Sequence, residues 1–125
     1  DKDVIIVDDM IASGDSVIEI GKKLKERGAR RIFVFATFGL FVAGLDVFDE
    51  AYKNGWINRV YTTNLIYRMS ELATRAWYIE VNMCKYISLL VDTLNKDETI
   101  SSLLNPIDRI NNLLERREAD GTIKR

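Results

Sequence analysis

The chain has 125 residues, 47% of them hydrophobic and 30% charged, with one proline, which suits one domain with a real core and excludes a disordered or low-complexity chain. Lys and Arg number 18 against 19 Asp and Glu, so no general attraction to nucleic acid or membranes is expected and any charge effect is local. A single cysteine, Cys84, and no histidine exclude an internal disulfide framework and a zinc site. The cysteine usage, with no signal peptide and no apolar run long enough to span a bilayer, fits a cytoplasmic chain.

Val4-Ile5-Ile6-Val7 reads as a strand buried on both faces, as in a parallel sheet covered by helices. Asp8 and Asp9 follow where that strand is expected to leave the sheet. The loop Ala12-Ser13-Gly14-Asp15-Ser16 then directly precedes a helical period that begins at Val17. Open α/β sheets bind ligands beyond the carboxyl ends of their strands. Small residues let the backbone approach a ligand, and free N–H groups at a helix start favour an anion. The expected ligand carries hydroxyls for the acids and a phosphate for the loop. Only Asp1-Lys2-Asp3 precede the strand, so the sequence reads as a fragment whose N-terminal portion, the other wall of the site, is absent.

A first helix is expected from Ser16 to Arg27, with Val17, Ile20, Gly21 and Leu24 inward, stopped by Gly28. Residues 17 to 31 carry six Lys and Arg against two Glu, a solvated helix end whose cations suit the helix dipole. Arg31 to Thr37 forms a second buried strand, reached by a right-handed crossover. The loop from Thr37 to Gly44 can floor the site. A helix from Leu45 to Lys53 and a third strand from Ile57 to Thr62 follow. Thr62-Thr63-Asn64 either caps a turn or touches ligand, because these residues suit both roles.

Residues 65 to 76 are irregular, with one helical turn started by Ser70. Trp77 to Val81 is a fourth strand. A helix from Met83 to Leu94 places Met83, Tyr86, Ile87, Leu90 and Leu94 at helical spacing, with Met83 and Cys84 read as packing. Asp97 to Leu104 forms a capped turn. Pro106 opens a last helix at its first position, running to Arg117 with an apolar stripe of Ile107, Ile110, Leu113 and Leu114 suited to an interface. Ala119 to Arg125 is a frayed end or remnant. The division is therefore a domain over 1–105 and an amphipathic helix with its tail over 106–125.

An apolar strand, an Asp-Asp pair, two apolar or small residues and a small hydroxyl-rich loop resemble the phosphoribosyl diphosphate motif of the type I phosphoribosyltransferase fold. The resemblance implies a three-layer α/β domain with a mainly parallel sheet of about four strands flanked by helices. It also implies that Asp8 and Asp9 engage the 2- and 3-hydroxyls of a ribose, and that Ala12, Ser13, Gly14, Asp15 and Ser16 wrap its 5-phosphate.

Over residues 3 to 105 the order of segments is similar to the C-terminal half of ribose-phosphate pyrophosphokinases, the phosphoribosyl diphosphate synthetases. The carriers are Val7-Asp8-Asp9-Met10-Ile11, Lys23 to Arg31, Ala36 to Phe41, and Asp97 to Leu104, the serine-containing end that ordinary phosphoribosyltransferases lack. The resemblance implies an enzyme that moves diphosphate from magnesium-bound ATP to ribose 5-phosphate, assembled as a homo-oligomer. Ser101 and Ser102 would then be regulatory. The family's ATP wall, its magnesium-adjacent histidine and its basic loop lie upstream of the motif, so no catalytic residue and no metal ligand is assigned within this chain, which alone is expected to be inactive.

Two departures keep other readings open. Asp15 stands where the usual loop has a small residue. A carboxylate about 4 Å from a phosphate costs about 4 kcal/mol per unit charge pair at an effective dielectric near 20, whereas a helix N-terminus returns about 0.3–2 kcal/mol. Either Asp15 points away or the site is weak. Ala12 replaces an acidic or polar residue. The alternatives are a catalytically silent paralogue that regulates active subunits, and a phosphoribosyltransferase acting on a base.

Overall fold

A computed structural model describes residues 1–121, the Ser102 side chain excepted. They fall into two compact units, Asp1–Met83 and Cys84–Arg125. In the first, β1 (Val4–Ile11), α1 (Asp15–Glu26), β2 (Ile32–Gly39), α2 (Asp46–Lys53), β3 (Arg59–Thr63), a 3-10 turn (Ser70–Thr74) and β4 (Tyr78–Val81) follow one another. The four strands lie in the order β1-β2-β3-β4, every neighbouring pair parallel. The α/β class, the parallel sheet of four strands and the flanking helices agree with the sequence reading.

The first strand is longer than its apolar run. Met10 pairs with Phe38 and Ile11 with Gly39, which carries β1 four residues past Val7. Asp8 and Asp9 therefore lie inside the strand rather than beyond it. The ladder decides this, because β2 also runs on to Gly39 and offers the acidic segment a partner.

The buried face of α1 is rotated from the expected one. Val17, Ile18 and Gly21 are buried, whereas Ile20 is exposed. The cause is a close approach at Gly21, where a Cβ would stand 2.8 Å from the Trp56 carbonyl oxygen. Only glycine lets α1 settle against the turn after α2.

Between the helices and one sheet face lies a core of Val17, Val34, Phe41, Phe48, Val60 and Trp77, all at most 3% exposed. Fully burying an aliphatic or aromatic side chain contributes about 1.5–3 kcal/mol, so this cluster dominates the unit's stability. The Phe48 and Trp77 rings stack at 5.2 Å, and Phe41 meets Phe48 edge-on at 5.2 Å. The Trp77 indole N–H donates to Asp49 Oδ1 at 2.6 Å, and Arg75 Nε pairs with Asp49 Oδ2 at 3.0 Å. α2 is thereby tied to the segment entering β4.

The second unit comprises α3 (Cys84–Asn95), α4 (Ser101–Leu104) and α5 (Ile107–Ala119). The expected capped turn ends in the short helix α4, and Pro106 stands just before α5 instead of inside it. The Tyr86 hydroxyl donates to Leu103 O at 3.3 Å, and the Arg109 guanidinium lies 5.5 Å from the Tyr86 ring centroid. Ile107, Ile110, Leu113 and Leu114 are exposed. Cys84 is exposed as well, which corrects its reading as a packing residue. Thr122 to Arg125, most of the expected tail, lie outside the described residues.

The start of β1 is anchored by charge. Asp3 accepts hydrogen bonds from Arg30 Nε at 2.9 Å and from Arg31 Nε at 3.1 Å. These bonds, Arg30's first, hold its carboxyl well below the usual carboxylate range. A depressed carboxylate contributes stability above its unfolded value, and that contribution is lost as pH falls through the folded one. Asp3→Asn should therefore be less stable than wild type at neutral pH and converge with it on acidification below about pH 4. Thermal melts of both proteins across that range check this, and parallel curves would contradict it.

Candidate functional site

At the carboxyl end of β1 the chain turns from sheet into helix within three residues. Asp8 and Asp9 are both exposed, and the Asp9 N–H donates to Asp8 Oδ1 at 2.9 Å. Asp8 lies opposite Ala36 in the ladder, so its neighbour on β2 is a small buried side chain. Gly14 caps α1 with φ 95°, a left-handed conformation that glycine adopts without strain. The Ile18 N–H makes the first helical bond, to Gly14 O at 3.0 Å. The N–H groups of Ser16 and Val17 thus open the helix without helical acceptors, where the dipole favours an anion.

Gly14 is also required for space. A Cβ on it would overlap Cε2 and Cζ of Phe48, so the loop backbone lies directly on an aromatic ring of α2. Sequence reasoning did not find Phe48, whose contact with the loop is tertiary. Asp8, Ala12, Ser13, Gly14 and Ser16 share the lining of one hollow of about 110 Å3, completed by apolar residues. Asp9 and Asp15 are not among them. Asp15 borders the groove between α1 and α2 with Glu19, Lys22 and Glu50, and its carboxylate accepts the Ser13 hydroxyl at 2.8 Å. Of the two orientations open for Asp15, the structure has the outward one, although the Ser13 O–H is engaged by it.

The loop after β2 is laced to this site. Leu40 N–H donates to Ile11 O and Val42 N–H to Ala12 O, each at 2.9 Å, so the segment expected to floor the site braces its backbone. The Thr62-Thr63-Asn64 group serves the chain itself. Thr62 is buried and shares a hydrogen bond of 2.9 Å with the Tyr78 hydroxyl, Thr63 Oγ1 donates to Thr37 O at 2.6 Å, and Asn64 Oδ1 accepts the Met83 N–H at 2.8 Å. Ser101 opens α4 and is exposed. The Ser102 side chain lies outside the described residues.

Chemically the site offers carboxylates that accept from hydroxyls and a loop that donates N–H groups to an anion. Among the described residues no three His, Cys, Asp or Glu side chains form a metal-binding group. No helix among them is long and apolar enough to cross a membrane.

Gly28 supplies an internal control for Gly14. Both have positive φ, but a Cβ on Gly28 meets nothing within 4 Å. Gly28→Ala should cost only the left-handed penalty, about 1–2 kcal/mol, whereas Gly14→Ala adds an overpacking cost of about 1–3 kcal/mol. Denaturant unfolding of the two variants measures the difference, and equal losses would show that the Phe48 contact does not hold the loop.

The sequence profile of the phosphoribosyl synthetase-associated domain matches residues 1–105. The ribose-phosphate pyrophosphokinase of Vibrio parahaemolyticus is 29% identical over 104 residues, covering 83% of this chain and 32% of that protein. The protein of the same name from Haemophilus ducreyi is 30% identical over 105 residues, covering 84% and 32%. The crystal structure of phosphoribosylpyrophosphate synthetase from Mycobacterium smegmatis superimposes with a TM-score of 0.64 at 18% identity, over 76% of this chain and 30% of that one, a likeness of fold. The chain spans about a third of the length of the curated relatives it matches. With the profile running from Asp1 through the acidic pair, the glycine turn and α4, the chain belongs to the phosphoribosyl synthetase-associated domain family.

Proposed function

We propose that this chain is the C-terminal, sugar-phosphate-binding part of a ribose-phosphate diphosphokinase with a type I phosphoribosyltransferase fold, incomplete at its N-terminal side. The observation that carries this reading is the path of the chain at the end of β1. Two exposed acids are followed within five residues by a left-handed glycine and a helix N-terminus, inside the family match. Asp8 and Asp9 accept hydrogen bonds from the ribose hydroxyls. Ala12, Ser13, Gly14 and Ser16 hold the 5-phosphate, with the Ser16 and Val17 N–H groups at the positive end of α1. Asp15 stays outside the phosphate contact.

In the full-length enzyme, diphosphate passes from ATP to the anomeric hydroxyl of ribose 5-phosphate, supplying phosphoribosyl diphosphate for nucleotide biosynthesis in the cytoplasm. Magnesium arrives on the ATP phosphates. This chain's contribution is to hold one reactant in register, and orientation of both reactants is worth about 7–11 kcal/mol in well-ordered systems. The ATP wall belongs to the part of the protein outside these residues. Homo-oligomeric assembly, and a regulatory contact at Ser101 and Ser102, are proposed on the resemblance alone.

One observation favours a second reading. Ser13 gives its hydroxyl to Asp15, so the loop satisfies with its own carboxylate a donor that a phosphate would use. A catalytically silent paralogue that binds and regulates active subunits fits that bond. Nothing observed favours a phosphoribosyltransferase acting on a base.

Ribose 5-phosphate titrated to millimolar concentration should shift the amide resonances of Ser13, Gly14 and Ser16, and unmoved amides would refute the site. Asp15→Ala should tighten binding several-fold by freeing the Ser13 hydroxyl. Unchanged affinity would assign Ser13 no part in it. The 125-residue chain with magnesium, ATP and ribose 5-phosphate should release no AMP above background, and turnover at an ordinary enzymatic rate would overturn the division of roles.

A further inference from the structure

Beyond Gly39 the ladder between β1 and β2 changes step. In a regular parallel ladder the hydrogen bonds are evenly spaced, so N–H groups two residues apart on one strand reach carbonyls two residues apart on the other. Leu40 and Val42 are two apart, yet their N–H groups reach the adjacent carbonyls of Ile11 and Ala12, each at 2.9 Å. Phe41 is therefore one residue too many on its side, a bulge at which the pairing ends. Its φ is 50°, and no other non-glycine residue of the first unit has a left-handed backbone. Such a conformation is costly for any residue with a Cβ, and it persists only where the surroundings over-determine it.

The ring supplies that constraint. Phe41 is 2% exposed, and besides Phe48 its ring meets Trp77 at 5.9 Å and Tyr78 edge-on at 6.3 Å. It folds back over the end of β2, where a Cβ on Gly39 would stand 2.6 Å from Phe41 Cε2. The Gly44 N–H donates to Phe41 O at 2.9 Å and closes the turn. Leu40 and Val42 are exposed, so of these three residues Phe41 alone ties the turn to the core.

The bulge decides where the N–H groups of the first loop point. A trans peptide directs its C=O and its N–H to opposite sides, and the described chain has no cis bond. With Ile11 O and Ala12 O both turned to residues 40–42, the N–H groups of the same two peptides, those of Ala12 and Ser13, both turn the other way. Successive N–H groups that point together form a concavity for an anion. Neither has an acceptor among the described residues. Both residues line the hollow shared with Asp8, Gly14 and Ser16, and residues 40–44 do not.

We infer that Phe41 is a positioning residue of the anion site. Its left-handed bulge fixes the peptide planes on either side of Ala12, and so aims the Ala12 and Ser13 N–H groups together at the bound phosphate. Phe41 itself touches no ligand and acts through the loop backbone. Its ring also packs on Phe48, the ring beneath Gly14, so both ends of the loop take their position from one aromatic cluster. The assignment rests on the proposed phosphate at Ala12 to Ser16.

The test separates the bulge from the core by comparing Phe41→Val with Phe41→Leu. Both lose the ring and some stability to denaturant, but only valine carries the β-branch that resists a left-handed backbone. Phe41→Val should weaken binding of inorganic phosphate about tenfold, the loss expected when a hydrogen bond to a charged group is removed, and should speed amide exchange at Leu40 and Val42. Phe41→Leu should restore most of the affinity and the slow exchange. Equal loss of affinity in the two variants would assign the effect to the core and overturn the inference. Faster exchange in Phe41→Val with affinity unchanged would overturn it as well. If Phe41→Val fails to fold, Val42→Pro removes the N–H given to Ala12 O at an exposed position. It should cost the same tenfold, and unchanged affinity would contradict the inference. Wild type that binds neither phosphate nor ribose 5-phosphate would sink the proposed ligand and this assignment together, whereas normal wild-type binding with unaffected variants would sink the assignment alone.

Discussion

The close approach of the Gly14 backbone to the Phe48 ring sets the rest of the first unit. With no Cβ in the way, the loop after β1 lies on α2, and its left-handed turn starts α1 at Asp15. Phe48 is itself wedged between Phe41 and Trp77. Trp77 is fixed in turn by the Asp49 carboxylate that also pairs with Arg75. An exposed polar loop thus inherits the rigidity of the most buried aromatic cluster in the unit. That is what a binding loop needs, because donors held in place lose little freedom when a ligand arrives.

The same contact separates the polar elements of the site. Asp8 and Asp9 are positioned by the β1–β2 ladder, whereas Ser13, Gly14 and Ser16 are positioned by α1 and the ring beneath it. In the proposed function, hydroxyl recognition and anion recognition are therefore built on different supports. Asp15 stands between them on neither, turned to the groove between α1 and α2 but still holding the Ser13 hydroxyl. It marks where this chain departs from a loop made only to grip a phosphate.

Much of this was legible in the sequence where the signal is local. The β-branched run at Val4, the acids after it, the small loop and the helical period from Val17 gave the order of elements and five residues that share a hollow, whereas Asp9 and Asp15 lie outside it. What escaped is tertiary. Nothing in Asp8-Asp9-Met10 announces a strand, and the pairing of Met10 and Ile11 with Phe38 and Gly39 makes it one. Ile20 fits the helical stripe as well as Ile18 does, yet the approach of α1 to the Trp56 carbonyl at Gly21 buries Ile18 and leaves Ile20 out. Thr62 and Thr63 suit ligand contact or capping by composition, and only the Tyr78 hydroxyl and the Thr37 carbonyl beside them show which is used.

The account stands on the claim that the acidic pair reads a sugar while the glycine loop reads a phosphate. Calorimetry of ribose 5-phosphate and of inorganic phosphate, each with wild type and with the Asp8→Asn, Asp9→Asn double variant, tests that division directly. It predicts that wild type binds ribose 5-phosphate more tightly than phosphate, and that the double variant loses this difference while keeping its affinity for phosphate. Ribose 5-phosphate binding no tighter than phosphate in wild type, or a variant that weakens both ligands equally, would contradict it.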